Sequence, residues 1–237
     1  SYGASLLAVN EIGADGLVQP ARQVLPTGRN AHAIRAEASN RFVFATSLGA
    51  GVVMQFRFEA AAGTLVPNEP AVVPVRAGAG PRHLEFHPGG RVVYLLNELD
   101  ASLDVFALDG ATGTLRHVQT LATLPPGFGG EPWAADLHVT PDGRFLYTSE
   151  RRSSTLAAFA VDPASGLLEP RGHWPAQAQP RGFHVTASGR WLIVAGQLSH
   201  RVGVHAIDAA SGKLTLVHEH AVGKNPNWVE TLTLHRG

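Results

Sequence analysis

Residues 83–97 read His83-Leu84-Glu85-Phe86-His87-Pro88-Gly89-Gly90-Arg91-Val92-Val93-Tyr94-Leu95-Leu96-Asn97. An alternating run, a tight turn closing on Arg91 and a run rich in β-branched and aromatic residues make a hairpin. Residues 102–108 and 114–121 add two more runs of strand length, separated by a turn that closes on Gly113. The whole unit occurs four times. Its first turns are Ala38-Ser39-Asn40-Arg41, Pro88-Gly89-Gly90-Arg91, Pro141-Asp142-Gly143-Arg144 and Ala187-Ser188-Gly189-Arg190. Its second turns have the form Asp/Glu-x-Ala-x-Gly or a close variant and end on Gly63, Gly113, Gly166 and Gly212. Successive arginines lie 50, 53 and 46 residues apart, and successive glycines repeat the same intervals. Two markers with one period identify a repeat architecture.

Four antiparallel strands in each unit of roughly 50 residues make one blade of a β-propeller. A lone blade leaves both faces bare, so blades must stack. The sequence predicts an all-β propeller domain over residues 1–237, with almost no helix and with innermost strands starting near Ala31, Arg82, Ala135 and Arg181. Four blades are complete. Residues 6–10 and 18–24 read as the outer two strands of a partial fifth blade, and residues 226–232 as an inner strand expected to pair with them.

In such a fold the start of the innermost strand and the end of the second share a rim beside the axis. Counted from the turn arginines, the positions nine residues upstream hold His32, Arg82, Ala135 and Arg181. Eight upstream are Ala33, His83, Asp136 and Gly182; seven downstream are Leu48, Glu98, Arg151 and Gln197. Turn residues repeat from blade to blade, whereas these rim positions change chemistry. Equal structural demands would give similar residues, so the difference marks a functional rim. Blander readings stand beside this one: Arg82 and Arg181 as solvated arginines, His83 as a hydrogen-bonded core histidine, and Glu150 with Arg151 as an exposed ion pair. His87 and His138 lie within strands and read as core histidines, and Trp133, Trp174 and Trp191 as packing between blades.

Composition limits the rest. Nineteen basic and nineteen acidic residues give no net charge, so nothing in bulk electrostatics favours nucleic acid or an anionic membrane. There is no cysteine, which removes disulfides, thiolate metal sites and a Cys nucleophile, and fits a reducing, cytoplasmic location. No apolar run reaches the roughly 18 residues of a membrane helix. Gly78-Ala79-Gly80-Pro81 precedes a strand rather than joining strand to helix, so it is no dinucleotide fingerprint. No Gly-x-Ser-x-Gly elbow occurs. Neither a cofactor nor a metal is expected.

The segment from Gly78 to Pro88, with Asn97-Glu98-Leu99, Trp133-Ala134-Ala135-Asp136-Leu137-His138, Gln179-Pro180-Arg181-Gly182-Phe183 and Ala195-Gly196-Gln197, closely resembles the bacterial lactonase family of seven-bladed propellers. The family includes the propeller-type 6-phosphogluconolactonases, and the fungal carboxymuconate-lactonizing enzyme shares the fold. The resemblance covers essentially the whole chain. It implies hydrolysis of a sugar lactone, 6-phosphogluconolactone of the pentose phosphate pathway first, on a small anionic substrate. A carboxymuconate-type lactonizing enzyme and a non-catalytic interaction scaffold are the alternatives. It also implies that about two N-terminal blades of the family pattern are missing, which would expose blade faces and favour self-association. Ser47-Leu48-Gly49-Ala50-Gly51 stands where relatives often carry Asp-Leu-Gly-x-Asp. For lactone opening, His83 or Glu98 is expected as the base for water. Arg151 and Arg181 are expected to bind the oxyanion and the anionic group, and Arg82, His32, Asp136 and Gln197 to line the pocket.

Overall fold

The computed structural model describes residues 1–233. Among them there is no helix. The first sheet has two strands, β1 (Leu6–Ile12) and β2 (Val18–Pro26). The second is β3 (Ala31–Ala36), β4 (Phe42–Ser47), β5 (Val52–Glu59) and β6 (Thr64–Pro74). The third is β7 (Pro81–Phe86), β8 (Val92–Asn97), β9 (Ser102–Asp109) and β10 (Thr114–Ala122). The fourth is β11 (Ala134–Val139), β12 (Phe145–Glu150), β13 (Thr155–Val161) and β14 (Leu168–Pro175). The fifth is β15 (Pro180–Val185), β16 (Trp191–Gly196), β17 (Arg201–Ile207) and β18 (Leu214–Ala221). All pairings are antiparallel between consecutive strands, as in propeller blades. The innermost strands begin within one residue of the positions the repeat predicts.

Alternation along each second strand feeds two interfaces at once. In β4, Val43 and Ala45 pack towards the first sheet with Leu7, while Phe42 and Phe44 pack towards the third with Leu84 and Val93. In β8, Val93 and Leu95 face back, and Tyr94 and Leu96 face forward onto Leu137 and Phe159. Tyr147 and Leu156 meet Phe183, Leu192 and Val194 of the fifth sheet. Four apolar clusters thus fill the four gaps between five successive sheets, and β4, β8 and β12 are buried along their whole length.

The two repeat markers meet in space. After three of the four turn arginines, the next residue lies on the following sheet's turn glycine: Phe42 on Gly113, Val92 on Gly166, Phe145 on Gly212. The arginine itself caps the same turn, with Arg41 Nη2 donating to Gly110 O (2.7 Å) and Arg144 Nη1 to Ala209 O (2.8 Å). Tyr94 and Tyr147 donate their hydroxyls to the carbonyls of Gly166 and Gly212. A shared period follows because the two markers are halves of one inter-blade contact.

The carboxy-terminal expectation is corrected. Residues 226–232 form no strand and do not pair with β1. They run beside β15 instead, with Asn227 and Trp228 against Gly182, and with the Thr231 hydroxyl 2.6 Å from His184 Nδ1. Gly182 has no side chain to hold this backbone off, and the ring of Trp228 sits against His83.

Gly113 and Gly90 separate the two costs of a turn glycine. Both have positive φ, +69° and +71°, but a Cβ on Gly113 would overlap the Phe42 ring whereas one on Gly90 meets nothing. Gly90→Ala should cost about 1–2 kcal/mol for the left-handed backbone, and Gly113→Ala a further 1–3 kcal/mol or so for overpacking. Urea midpoints measure the difference; equal losses would contradict the inter-blade role of Gly113.

Candidate active site

The rim is built by bulges. Each innermost strand breaks register at its start: between Ala31 and Ile34, Pro81 and His83, Ala134 and Leu137, Pro180 and Gly182. A bulge re-aims side chains that strict alternation would send to opposite faces. Neighbours in sequence, Arg82 and His83, therefore reach the same place. The residues just after the second strands are tied back to it, with Glu98 N donating to Gly80 O (2.8 Å) and Arg151 N to Trp133 O (3.2 Å).

Two cavities open along the axis. The larger, about 690 Å³, follows the inner strands and is walled by His32, Arg35, His83, Glu85, Asp136, His138 and His184, with Trp228 and Glu230 from the carboxy-terminal segment. The smaller, about 170 Å³, is lined by His32, Arg82, His83, Arg181, Asn227 and Trp228. Of the eight rim residues singled out by the repeat, His32, Arg82, His83, Asp136 and Arg181 line these spaces. Glu98, Arg151 and Gln197 do not.

Glu98 and Arg151 form a clamp behind the wall. Glu98 Oε2 accepts from Arg82 Nε (2.7 Å) and lies 3.0 Å from Arg151 Nη2, while Oε1 accepts from the Trp133 indole (3.1 Å). Arg151 also donates to the carbonyls of Trp133 and Ala134, and its guanidinium lies 3.8 Å over the Trp133 ring. Burial outweighs Glu98 and, with the charges of Arg82 and Arg181, brings the Arg151 pKa down to about 10, so it keeps its charge at neutral pH. Trp133 does more than pack between blades, since its N–H and its ring both hold the clamp. Gln197 is engaged elsewhere, accepting from Gln179 Nε2 at 2.9 Å. Glu150 accepts from the backbone N–H groups of Trp133 and Ser153, so it makes no exposed pair with Arg151.

His83 is held differently. Its Nδ1 lies 2.8 Å from Asp136 Oδ1, in a carboxylate that also accepts from the N–H groups of Leu137 and Phe183. Asp136 is buried, yet its histidine and backbone donors hold it ionised, well below the usual carboxylate range. A carboxylate can only accept, so His83 Nδ1 carries the hydrogen and Nε2 keeps its lone pair. Arg82 Nη1 lies 3.2 and 3.1 Å from the two ring nitrogens, which puts it over the ring face rather than in the plane of that lone pair. Burial, aided by the Arg82 charge, lowers the His83 pKa in spite of Asp136.

The remaining charges favour an anion. The smaller cavity is bordered by two guanidiniums, Arg82 and Arg181, and, among the described residues, by no carboxylate. Among the described residues Arg181 has no hydrogen-bond or ion-pair partner, and it borders the smaller cavity. His32 sits between Arg82, His83 and Arg181; burial and these charges push its pKa down to about 3, leaving a neutral imidazole whose Nδ1 has no partner.

His138 and His87 part ways. His87 is structural, its Nε2 3.1 Å from Gly143 O of the next sheet. His138, read from sequence as a core histidine, lines the larger cavity. Its place two residues after Asp136 on one strand is the signal that could have found it, because i and i+2 share a face.

A family model described as "Lactonase, 7-bladed beta-propeller" matches residues 1–231. A curated 6-phosphogluconolactonase of Pectobacterium carotovorum is 42% identical over 99% of this chain and 70% of its own length. One of Serratia proteamaculans is 40% identical over 98% and 70%. The solved structure of the Pseudomonas aeruginosa periplasmic gluconolactonase superimposes with a TM-score of 0.86 at 36% identity, over 93% of this chain and 64% of that one. With the family's motifs at the rim and its blades in the fold, the chain belongs to the lactonase family of seven-bladed β-propellers.

Proposed function

We propose that this rim hydrolyses a phosphorylated sugar lactone, of the kind named by the 6-phosphogluconolactonase relatives. The observation that carries the reading is the His83–Asp136 pair, which leaves a neutral Nε2 on a ring lining the same cavity as Arg181, a guanidinium without a partner among the described residues. The repeat left His83 and Glu98 as rival bases, and the geometry favours His83. Both acceptor sites of Glu98 Oε2 are taken by arginines, and Glu98 lies outside both cavities. Glu98 is the anchor that fixes Arg82 and Arg151.

In the reaction His83 Nε2 takes a proton from water as the water oxygen bonds to the lactone carbonyl carbon. The carbonyl oxygen gains the negative charge and is met by Arg82, the clamped guanidinium at the cavity wall. When the tetrahedral intermediate collapses, the bond from carbon to ring oxygen breaks. His83 returns its proton to that oxygen, and the open-chain acid ionises. Arg181 takes the phosphate, which a guanidinium matches bidentately. Arg151 lines neither cavity, so its expected role passes to Arg82, which does.

His83→Ala should lower kcat on 6-phosphogluconolactone by about 10²–10⁴-fold; full retention of activity would remove His83 as the base. Glu98→Gln should instead cost about 3–5 kcal/mol of stability in urea unfolding, because two buried arginines lose their counter-charge. Arg181→Ala should raise KM for the phosphorylated lactone and leave unphosphorylated gluconolactone little changed; equal effects on both would detach Arg181 from the phosphate.

The pH dependence follows from the His83 environment. A base must be neutral, and His83 becomes protonated only below a pKa that lies under the ordinary 6.5. The acid limb of kcat/KM should therefore fall below pH 6.5, and a limb above that value would contradict the assignment.

A further inference from the structure

Asp136 serves two imidazoles. Its Oδ1 is 2.8 Å from His83 Nδ1, and its Oδ2 is 3.5 Å from His138 Nε2. A single carboxylate charge shared by two buried rings favours one added proton far more than two, because two imidazoliums would repel across the oxygens. Which ring holds it depends on what else each one faces.

His138 faces carboxylates. Beyond Asp136 on its own strand, Glu85 Oε2 of β7 lies 3.9 Å from His138 Nδ1. Arg35 of β3 neutralises part of that charge through Glu85 Oε1, at 3.0 Å. From β15 the His184 ring stands perpendicular at 5.2 Å, and His184 is itself 3.2 Å from Glu230 of the carboxy-terminal segment. His83 faces the opposite sign. Arg82 lies over its ring, His32 of β3 is 5.0 Å away, Arg181 borders the same small cavity, and Trp228 covers one side. Burial works against charge on both rings, yet Asp136 and Glu85 raise the pKa of His138 while that of His83 is lowered.

We infer that His138 is a positioning residue of the hydrolytic site: as an imidazolium held between Asp136 and Glu85, it uses up the attraction of Asp136 for a second proton and so keeps His83 neutral. The inference rests on His83 being the base. Without the charge on His138, Asp136 acts on His83 alone and holds a proton there to higher pH.

The test is His138→Gln, whose amide can still donate to Asp136, and Glu85→Gln at the cavity wall. Two readouts are taken in each: the pH profile of kcat/KM on 6-phosphogluconolactone, and the NMR titration midpoint of the His83 imidazole, assigned by its disappearance in His83→Gln. His138→Gln should raise the His83 midpoint and the acid limb together, by about one pH unit. Glu85→Gln should lower the titration midpoint of His138 itself, because the imidazolium loses one of its two carboxylates. A His83 midpoint that stays in place or falls in the folded His138 variant overturns the inference. Should His138→Gln not fold, His138→Asn decides by the same sign. Absent turnover in the wild-type chain would sink the lactonase reading alone, since the NMR midpoints still report whether His138 controls His83.

Discussion

Everything here hangs on one inter-blade contact: an apolar residue at the head of a second strand seated on a bare glycine in the next sheet's outer turn. Phe42 on Gly113, Val92 on Gly166 and Phe145 on Gly212 set the distance between sheets. Surface arginines and buried tyrosines lock the same turn from two directions. Because that spacing is fixed, the inner strands converge, and their bulged ends bring polar side chains from separate sheets within hydrogen-bond reach. His83 meets Asp136 across the gap between the third and fourth sheets, as Glu98 meets Arg151.

The polar groups at the rim divide into two kinds. One kind is saturated: Glu98, Arg151 and the Trp133 indole satisfy one another and several carbonyls, which is what a buried ionic group needs to avoid a large desolvation cost. The other kind is left with capacity to spare. His83 and Arg181 line the smaller cavity with a ring nitrogen and a guanidinium to spare, and His32 Nδ1 is buried beside them without a partner. The saturated groups give rigidity, and the unsaturated ones are those to which the proposed mechanism assigns the chemistry. Sorting by saturation separates Glu98 from His83, two residues that the sequence puts forward on equal terms.

The repeat made the fold legible because turns and strand alternation are local and carry their own residue signals. Strand starts, the two outer strands near the amino terminus and the polar rim all follow from it. Several features did not. The sequence leaves open which rim residues reach the cavity, because that depends on bulge geometry; hence Glu98, Arg151 and Gln197, all expected at the site, lie outside both cavities. His138 looked like core because its apolar neighbours dominate the strand, although its spacing from Asp136 carried the information. Residues 226–232 have strand-like composition, but a strand exists only with a partner edge, and these residues lie against Gly182 and His184 instead.

That the key pairs cross sheet boundaries has an evolutionary consequence. No single blade owns the chemistry, so a duplicated or exchanged blade brings its own packing but only half of each dyad. New specificities in such a scaffold arise where neighbours are recombined, at the seams. The bulged starts of the inner strands are the positions where one substitution can rewrite the reaction while the glycine seats keep the architecture unchanged.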